Sequence, residues 1–242
     1  MLAIAALLVG CSSPAPATDG LSGSITVFAA ASLTATFTEL AEQFEAEHPG
    51  VTVQTSFAGS ADLVTQLQGG AQADVFATAD QKNMAKVVDL TDTPVDFATN
   101  TLEIAVPPSN PAGVKTFADL AKPEVKTVDC APVVPCGAAT VTIEPGTGID
   151  IHPVSEESAV TDVLGKVSSG EADAGLVYVT DITGSKGTVK GIEFPEAAKA
   201  VNTYPIATLT ASANAKVAAA FLAFVTGAEG VRVLKAAGFG AP

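Results

Sequence analysis

Short apolar runs alternate with longer amphipathic stretches from Ser24 onward. Runs of roughly four to eight apolar residues fit buried strands, and apolar residues at three- and four-residue spacing fit one face of a helix. Strands that alternate with helices in this way build largely parallel sheets. The sequence therefore predicts an α/β protein. In the first part of the chain the pattern predicts strands at residues 24–30, 51–58 and 73–79 and helices at residues 32–47, 61–68 and 80–89.

The alternation continues after Pro107 and Pro108, where its spacing becomes less regular. The part from residue 140 to residue 152 is rich in Thr, Gly and β-branched residues and predicts no definite element. About 230 residues remain after the N-terminal run, enough for one large domain or two smaller ones with sizeable cores, and we favour two. The later predicted strands are 101–106, 126–129, 174–180 and 202–210, and the later helices are 116–121, 159–167, 215–224 and 231–236.

The N-terminus carries an apolar run, residues 1–9, that ends at Gly10 and Cys11 and continues into a Ser-, Pro- and Ala-rich stretch. This order resembles a bacterial lipoprotein signal, cleaved before Cys11, whose thiol then carries lipid. The run is far below the roughly 20 residues needed to span a bilayer. We therefore expect a signal remnant and tether over residues 1–23, with the signal starting further upstream because no Lys or Arg precedes the run, and an extracytoplasmic protein held to the cell membrane by lipid. A buried N-terminal strand is the alternative.

The net charge of −14 limits the classes of partner. Nucleic acid is excluded, because its binding needs a basic surface that displaces counterions. The same charge opposes long-range attraction of any anion. An anionic ligand would therefore have to be held by short contacts inside a site.

The cysteines fit an exported protein. With Cys11 assigned to lipid, Cys130 and Cys136 remain as a pair in an oxidising compartment, which predicts a small disulfide loop stiffened by two prolines. The alternative is a metal site with two thiolate ligands. It lacks nearby partners, because neither His48 nor His152 has ligand spacing.

Three turns that contain serine or glycine each follow a predicted strand and open a helix. They lie at residues 29–33, 57–61 and 135–137, and the first two contain Ser32 and Ser60. Each turn places backbone N–H groups at the positive end of a helix, where anions bind in open α/β sheets. Serine is also a common helix N-cap, so either serine taken alone is more often a cap than a ligand contact. The sequence contains no G-x-S-x-G turn, no P-loop and no evident Ser-His-acid set.

Three strings together resemble the periplasmic molybdate-binding proteins of ABC importers. They are ITVFAAASLT at residues 25–34, ADVFATADQ at residues 73–81 and AGLVY at residues 174–178. The resemblance runs in order from about residue 24 to residue 239. It implies the type II periplasmic-binding-protein fold: two Rossmann-like α/β domains with mixed sheets, joined by a two-strand hinge, with the ligand in the cleft. On this basis residues 24–104 and 208–242 form domain 1, and residues 105–207 form domain 2.

The resemblance also implies which groups hold the oxyanion. They are the hydroxyls of Ser32, Ser60 and Tyr178 and the backbone amides of Cys136 and Val160. Cys136 stands where the family has a small alanine, which changes nothing if only its N–H is used. These groups are all donors, so they suit molybdate, a fully ionised tetrahedral dianion. A protonated phosphate would need an acceptor.

The resemblance, together with the N-terminal signal, implies a lipid-anchored solute-binding protein, without enzymatic activity or resident cofactor, that delivers molybdate and tungstate to an ABC permease as a monomer. Sulfate or another oxyanion is the alternative ligand, because tetrahedral anions of equal charge differ mainly in size. A secreted hydrolase using Ser32 or Ser60 would need a base within hydrogen-bond reach. A surface adhesion module would need exposed aromatic residues or repeats, which the sequence does not display.

Overall fold

A computed structural model describes residues 20–242, so the predicted signal remnant and the lipidated Cys11 lie outside the described residues. In chain order the strands are β1 (Gly23–Ala30), β2 (Val51–Ala58), β3 (Val75–Ala77), β4 (Val95–Asn100), β5 (Leu102–Val106), β6 (Thr127–Cys130), β7 (Ser155–Glu157), β8 (Ala174–Tyr178), β9 (Lys190–Ile192) and β10 (Asn202–Thr208). The α-helices are α1 (Thr34–Glu47), α2 (Ser60–Gln68), α3 (Gln81–Ala85), α4 (Pro135–Ile143), α5 (Val160–Ser168), α6 (Val179–Gly184), α7 (Ala215–Thr226) and α8 (Ala228–Ala236).

The strands form two five-stranded sheets, each the centre of one α/β lobe. Lobe 1 has the order β2-β1-β3-β10-β4 and carries α1, α2, α3, α7 and α8; lobe 2 has the order β7-β6-β8-β5-β9 and carries α4, α5 and α6. In lobe 1, β1 pairs in parallel with β2 and β3, whereas β10 runs antiparallel to β3 and β4. In lobe 2, β6 pairs in parallel with β7 and β8, and β5 runs antiparallel to β8 and β9. The pair of α/β domains with mixed sheets that the resemblance implies is confirmed. The largely parallel sheets expected from the alternation alone are not found, because β5 and β10 return antiparallel to their neighbours and make half of the strand pairings antiparallel.

The chain crosses between the lobes twice. The first crossing is at Thr101, the single residue between β4 and β5, and the second precedes β10. The expected boundaries, after residue 104 and before residue 208, fall inside β5 and β10. Hydrogen bonding therefore assigns residues 102–104 to the sheet of lobe 2 and residues 202–207 to the sheet of lobe 1.

Each lobe has its own apolar core. In lobe 1 the predicted inward face of α1 is buried, with Phe37 and Phe44 at 6.3 and 5.3 Å from Phe221 of α7, measured between ring centroids. The other face of the same sheet packs on α2 and α3 through residues such as Leu63. The core of lobe 2 surrounds β5, β6 and β8. Two separate cores leave the interface between the lobes free to hold polar groups.

Several elements differ from the sequence prediction. Strands β4, β7 and β9 were not predicted, because they are short or carry polar residues on edges of the sheets. The helix predicted from Ser32 begins instead as a 3-10 turn, Ala31–Leu33, before α1. The helix predicted at 80–89 ends at Ala85 and is followed by a second 3-10 turn, Val88–Leu90.

No single helix in the described part of the chain is long and apolar enough to cross a membrane. Together α7 and α8 reach that length, but their axes are bent by 54° at the break between them.

The predicted disulfide between Cys130 and Cys136 is present. It joins the end of β6 to the start of α4 and so closes the proline-containing loop between them. Gly137 lies under this loop, where a side chain has no room: a Cβ there would be 2.3 Å from the carbonyl oxygens of both Cys130 and Ala131. The alternative of a metal site with two thiolate ligands is thereby wrong.

Candidate functional site

All five residues predicted to contact a ligand line one small cavity between the lobes. Ser32 and Ser60 come from lobe 1, and Cys136, Val160 and Tyr178 come from lobe 2. The rest of the lining consists of small or apolar residues: Ala30, Ala31, Gly59, Ala79, Val134 and Pro135. No lining residue carries a charge, so any ligand there meets only neutral groups of the protein.

Helix starts converge on this cavity. Ser60 and Val160 are the first residues of α2 and α5, and Cys136 is the second residue of α4. The first four N–H groups of a helix have no partner within it, and the helix dipole makes that end positive. Each of these helices also follows a strand of its own lobe, so the cavity lies at the carboxyl ends of both sheets.

Neither serine caps a helix, which removes the simpler explanation for both. The residue at the N-cap of α2 is Gly59, and no side-chain cap bond is present there or at the 3-10 turn that contains Ser32. Ser60 is buried, and its Oγ accepts a hydrogen bond of 3.1 Å from the backbone N–H of Ala79. The hydroxyl proton of Ser60 therefore stays available to a ligand.

A short hydrogen-bond chain holds Ser32. Its Oγ lies 3.1 Å from the hydroxyl oxygen of Tyr204, and the Nδ2 of Asn100 donates to that same hydroxyl at 3.5 Å and to the Oγ1 of Thr180 at 2.8 Å. Because Asn100 donates to Tyr204, the Tyr204 proton can be directed to Ser32. Ser32 then keeps its own proton for the cavity. Sequence analysis missed both Asn100 and Tyr204.

Tyr178 brings a buried hydroxyl that has no hydrogen-bond partner among the described residues. Its ring lies 6.0 Å from the ring of Tyr204, the other tyrosine of the chain. Burial, and then the neighbouring Tyr204, raise the pKa of Tyr178 well above its usual range, so the group stays a neutral donor. An unpaired buried hydroxyl costs about 1–3 kcal/mol. That cost favours an additional hydrogen-bond acceptor at the Tyr178 hydroxyl, beyond the residues that the structure describes.

Two buried carboxyl groups of lobe 2 accept hydrogen bonds from backbone N–H groups. The Oδ2 of Asp181 accepts a bond of 2.9 Å from the backbone N–H of Tyr178, and the Oδ1 of Asp129 accepts one of 2.7 Å from the N–H of Cys130. Burial raises the pKa of each to about 7, although these hydrogen bonds act in the opposite direction. Burial therefore favours the neutral form of both carboxyls, compared with exposed aspartates.

The cavity suits an anion and not a metal ion. Among the described residues, no group of three or more His, Cys, Asp and Glu side chains lies close enough to hold a cation. The lining offers hydroxyl and backbone N–H donors from two lobes instead. Such a set matches an unprotonated anion that accepts hydrogen bonds on several sides.

Two α/β lobes, linked by two crossings and facing each other across a cavity at the ends of their sheets, define the class of two-lobed solute-binding proteins. The sequence pattern described as bacterial extracellular solute-binding protein matches residues 25–240. The molybdate-binding protein ModA of Mycobacterium tuberculosis (strain ATCC 25618 / H37Rv) is 51% identical over 234 residues, which cover 96% of this chain and 89% of that protein. The chain belongs to the bacterial extracellular solute-binding proteins and, within them, to the ModA family, and these proteins are not enzymes.

Solved structures support the fold. The periplasmic molybdate-binding protein of Azotobacter vinelandii has a TM-score of 0.75 at 22% identity, and the match covers 90% of this chain and 99% of that one. The sulfate-binding protein SubI of Mycobacterium tuberculosis H37Rv has a TM-score of 0.78 at 18% identity, covering 89% and 86%. At these identities the likeness establishes the architecture alone.

Because of the Asp181 carboxyl, we expect the stability of the folded protein to fall as pH rises. Its pKa is about 7 in the folded protein against an ordinary 3.8, so the folded state binds the proton more tightly than the unfolded state. The free energy of unfolding then decreases from about pH 4 to about pH 7 and levels off above. Asp181→Asn removes this titration and keeps an acceptor for the Tyr178 amide. In thermal melts without ligand, the gain in Tm of the variant over wild type should be larger at about pH 8 than at about pH 5. An equal gain at both pH values would contradict a raised pKa.

Proposed function

We propose that this protein is the extracytoplasmic solute-binding component of an ABC importer and that it captures molybdate, and by the same chemistry tungstate, as a monomer. The observation that carries the proposal is the cavity itself, where donors from both lobes meet and no lining residue is charged. The ModA relative at 51% identity over nearly the whole chain, which is named as molybdate-binding, supports the choice of ligand.

The proposed contacts are the hydroxyls of Ser32, Ser60 and Tyr178 and the amides of Cys136 and Val160. A hydrogen bond to a charged group contributes about 1.5–3 kcal/mol, and a helix N-terminus adds about 0.3–1 kcal/mol. The overall charge of −14 opposes the approach of a dianion over long distances. Binding would therefore rest on short contacts inside the closed cavity, where water does not screen them.

Protonation and size would determine which oxyanion binds. A site that contains only hydrogen-bond donors favours an anion without a proton. Phosphate is protonated at neutral pH, so its own O–H group would face a donor of the protein and could not form a hydrogen bond with it. Sulfate is also a tetrahedral dianion and is the second candidate. The fold is also similar to that of a sulfate-binding protein, which supports sulfate as the second candidate. The size of the cavity is the property that would distinguish sulfate from molybdate.

Within residues 20–242, neither candidate serine of the hydrolase alternative is hydrogen-bonded to a histidine or a carboxylate. The hydroxyl of Ser32 pairs with Tyr204, and that of Ser60 pairs with the N–H of Ala79. His152 is largely exposed beside Asp150, and His48 packs on the ring of Phe44. Neither serine is therefore activated as a nucleophile.

We further propose that Cys11 carries a lipid that holds the protein at the outer face of the cell membrane. The support is the apolar run that ends in Gly10 and Cys11, followed by a Ser-, Pro- and Ala-rich stretch. If so, Cys11→Ser expressed behind a complete signal should move the protein from the membrane fraction to the soluble extracytoplasmic fraction. A variant that stays with the membranes would contradict lipid attachment at Cys11.

Isothermal titration of the purified protein with four oxyanions tests the proposed ligand. Molybdate and tungstate should bind far more tightly than sulfate, and phosphate should bind weakest, because only an unprotonated anion of the right size can satisfy donors from both lobes. The four anions act as controls for one another at fixed ionic strength. Sulfate binding as tight as molybdate binding would overturn the ligand assignment while leaving the fold untouched.

Replacing each tyrosine by phenylalanine gives a matched pair of variants. Tyr178→Phe should weaken molybdate binding about tenfold or more, because the ligand loses one charge-assisted hydrogen bond. It should leave the Tm of the unliganded protein unchanged or slightly higher, because the deleted hydroxyl has no partner there. Tyr204→Phe deletes a hydroxyl bonded to Ser32 and Asn100, so it should lower the Tm of the unliganded protein.

The two readouts separate a ligand contact from a core residue. A Tyr178→Phe protein that melts earlier without ligand and binds molybdate like wild type would place Tyr178 in the core alone. The molybdate-induced rise in Tm, measured on the same samples, reports the change in affinity independently of calorimetry.

A further inference from the structure

The lobes meet backbone to backbone at Gly59. This residue precedes Ser60 in the turn between β2 and α2 of lobe 1, and it faces Ser158, in the turn between β7 and α5 of lobe 2. A Cβ atom on Gly59 would lie 1.9 Å from the carbonyl oxygen of Ser158 and 3.1 Å from its carbonyl carbon. Nothing larger than hydrogen fits between the two turns.

The conformation of Gly59 does not itself require glycine. Its φ of −56° and ψ of 140° are open to any L-residue. The close neighbours of its missing Cβ belong to Ser158 and Ala159, both in lobe 2. A side chain at residue 59 is therefore excluded by the approach of the other lobe and not by the fold of lobe 1.

The contact lies between the two halves of the proposed site. Ser60 follows Gly59 directly, and Val160 comes two residues after Ser158. Moving the two turns apart would separate the Ser60 hydroxyl from the Val160 amide by a similar distance. Because both partners at the contact are backbone, the contact cannot yield by a change of rotamer.

We propose that the contact between Gly59 and Ser158 sets the separation of the lobes in the liganded protein and thereby the size of anion that the site accepts. The proposal rests on the proposed function. The absence of a side chain at residue 59 lets the lobes approach until both half-sites reach one molybdate. The rigid contact then stops further approach, so the lobes cannot close more tightly around the smaller sulfate. Gly59 is thus a positioning residue that need not itself bind the ligand.

Gly59→Ala tests this role, with Gly165→Ala as the matched control. Gly165 lies in α5, and a Cβ there would meet nothing within 4 Å. Molybdate binding is measured by calorimetry, closure by the fall in radius of gyration on adding molybdate in solution scattering, and lobe stability by the Tm of the unliganded protein. We expect Gly59→Ala to weaken molybdate binding about tenfold or more and to reduce the compaction, because an inserted methyl group in a tight contact is costly. Its unliganded Tm should match wild type, and Gly165→Ala should behave as wild type in binding and compaction.

Other outcomes overturn the proposal in distinguishable ways. Molybdate binding and compaction equal to wild type in Gly59→Ala would mean that the contact does not control lobe separation. A lower unliganded Tm, or failure to fold, would assign Gly59 to the folding of lobe 1. If wild type itself does not bind molybdate, the proposed function fails and this proposal fails with it.

Discussion

Hydrogen-bond donors lie together at a buried interface where the residues described by the structure leave the Tyr178 hydroxyl without an acceptor. The unpaired hydroxyl of Tyr178 is the clearest case, and the free N–H groups at the starts of α4 and α5 add to it. Burying such groups without a partner is costly. Each half-site belongs to a separately cored lobe, so the two sets of donors come together only where the lobes face each other. Small residues in the lining then let the backbone come close to the anion.

The neutral lining of the cavity offsets an overall charge that is unfavourable for binding an anion. The protein carries a net charge of −14, yet no charged residue lines the cavity. The nearby carboxyl of Asp181 has a raised pKa and is directed at the backbone of Tyr178. On the lobe 1 side, Asn100 and Tyr204 orient Ser32 through neutral hydrogen bonds. Selectivity in such a site would come from geometry, since no charge on the lining attracts one dianion more than another.

Much of the fold could be predicted from the sequence because apolar periodicity reports burial directly. Strands such as β2, whose predicted and observed limits agree, are apolar or alternating runs between turn residues. The polar edge strand β7 and the strand β4 beside the crossing carry no such signal, so neither was predicted. Apolar periodicity indicates which residues are buried. It does not indicate the residue at which the chain passes from one sheet to the other.

The candidate site, like the fold, was predictable from the sequence only in part. The residues that line the cavity could be located because small-residue turns after strands, together with a family resemblance, mark them in the sequence. The groups that position them could not be. Asn100 and Tyr204 come from β4 and β10 and meet across more than one hundred residues of sequence, at a separation of 104. Gly59 has an ordinary backbone conformation, so its role appears only when Ser158 of the other lobe is placed against it.

The central claim is that donors from both lobes share one oxyanion. Crystals grown with molybdate, with anomalous diffraction collected at the molybdenum absorption edge, test it most directly because the metal is located without reference to the protein coordinates. The account predicts one strong peak in the cavity, with ligand oxygens within hydrogen-bond distance of Ser32, Ser60 and Tyr178 hydroxyls and of the Cys136 and Val160 amides. A peak outside the cavity, or one contacted by a single lobe, would contradict it.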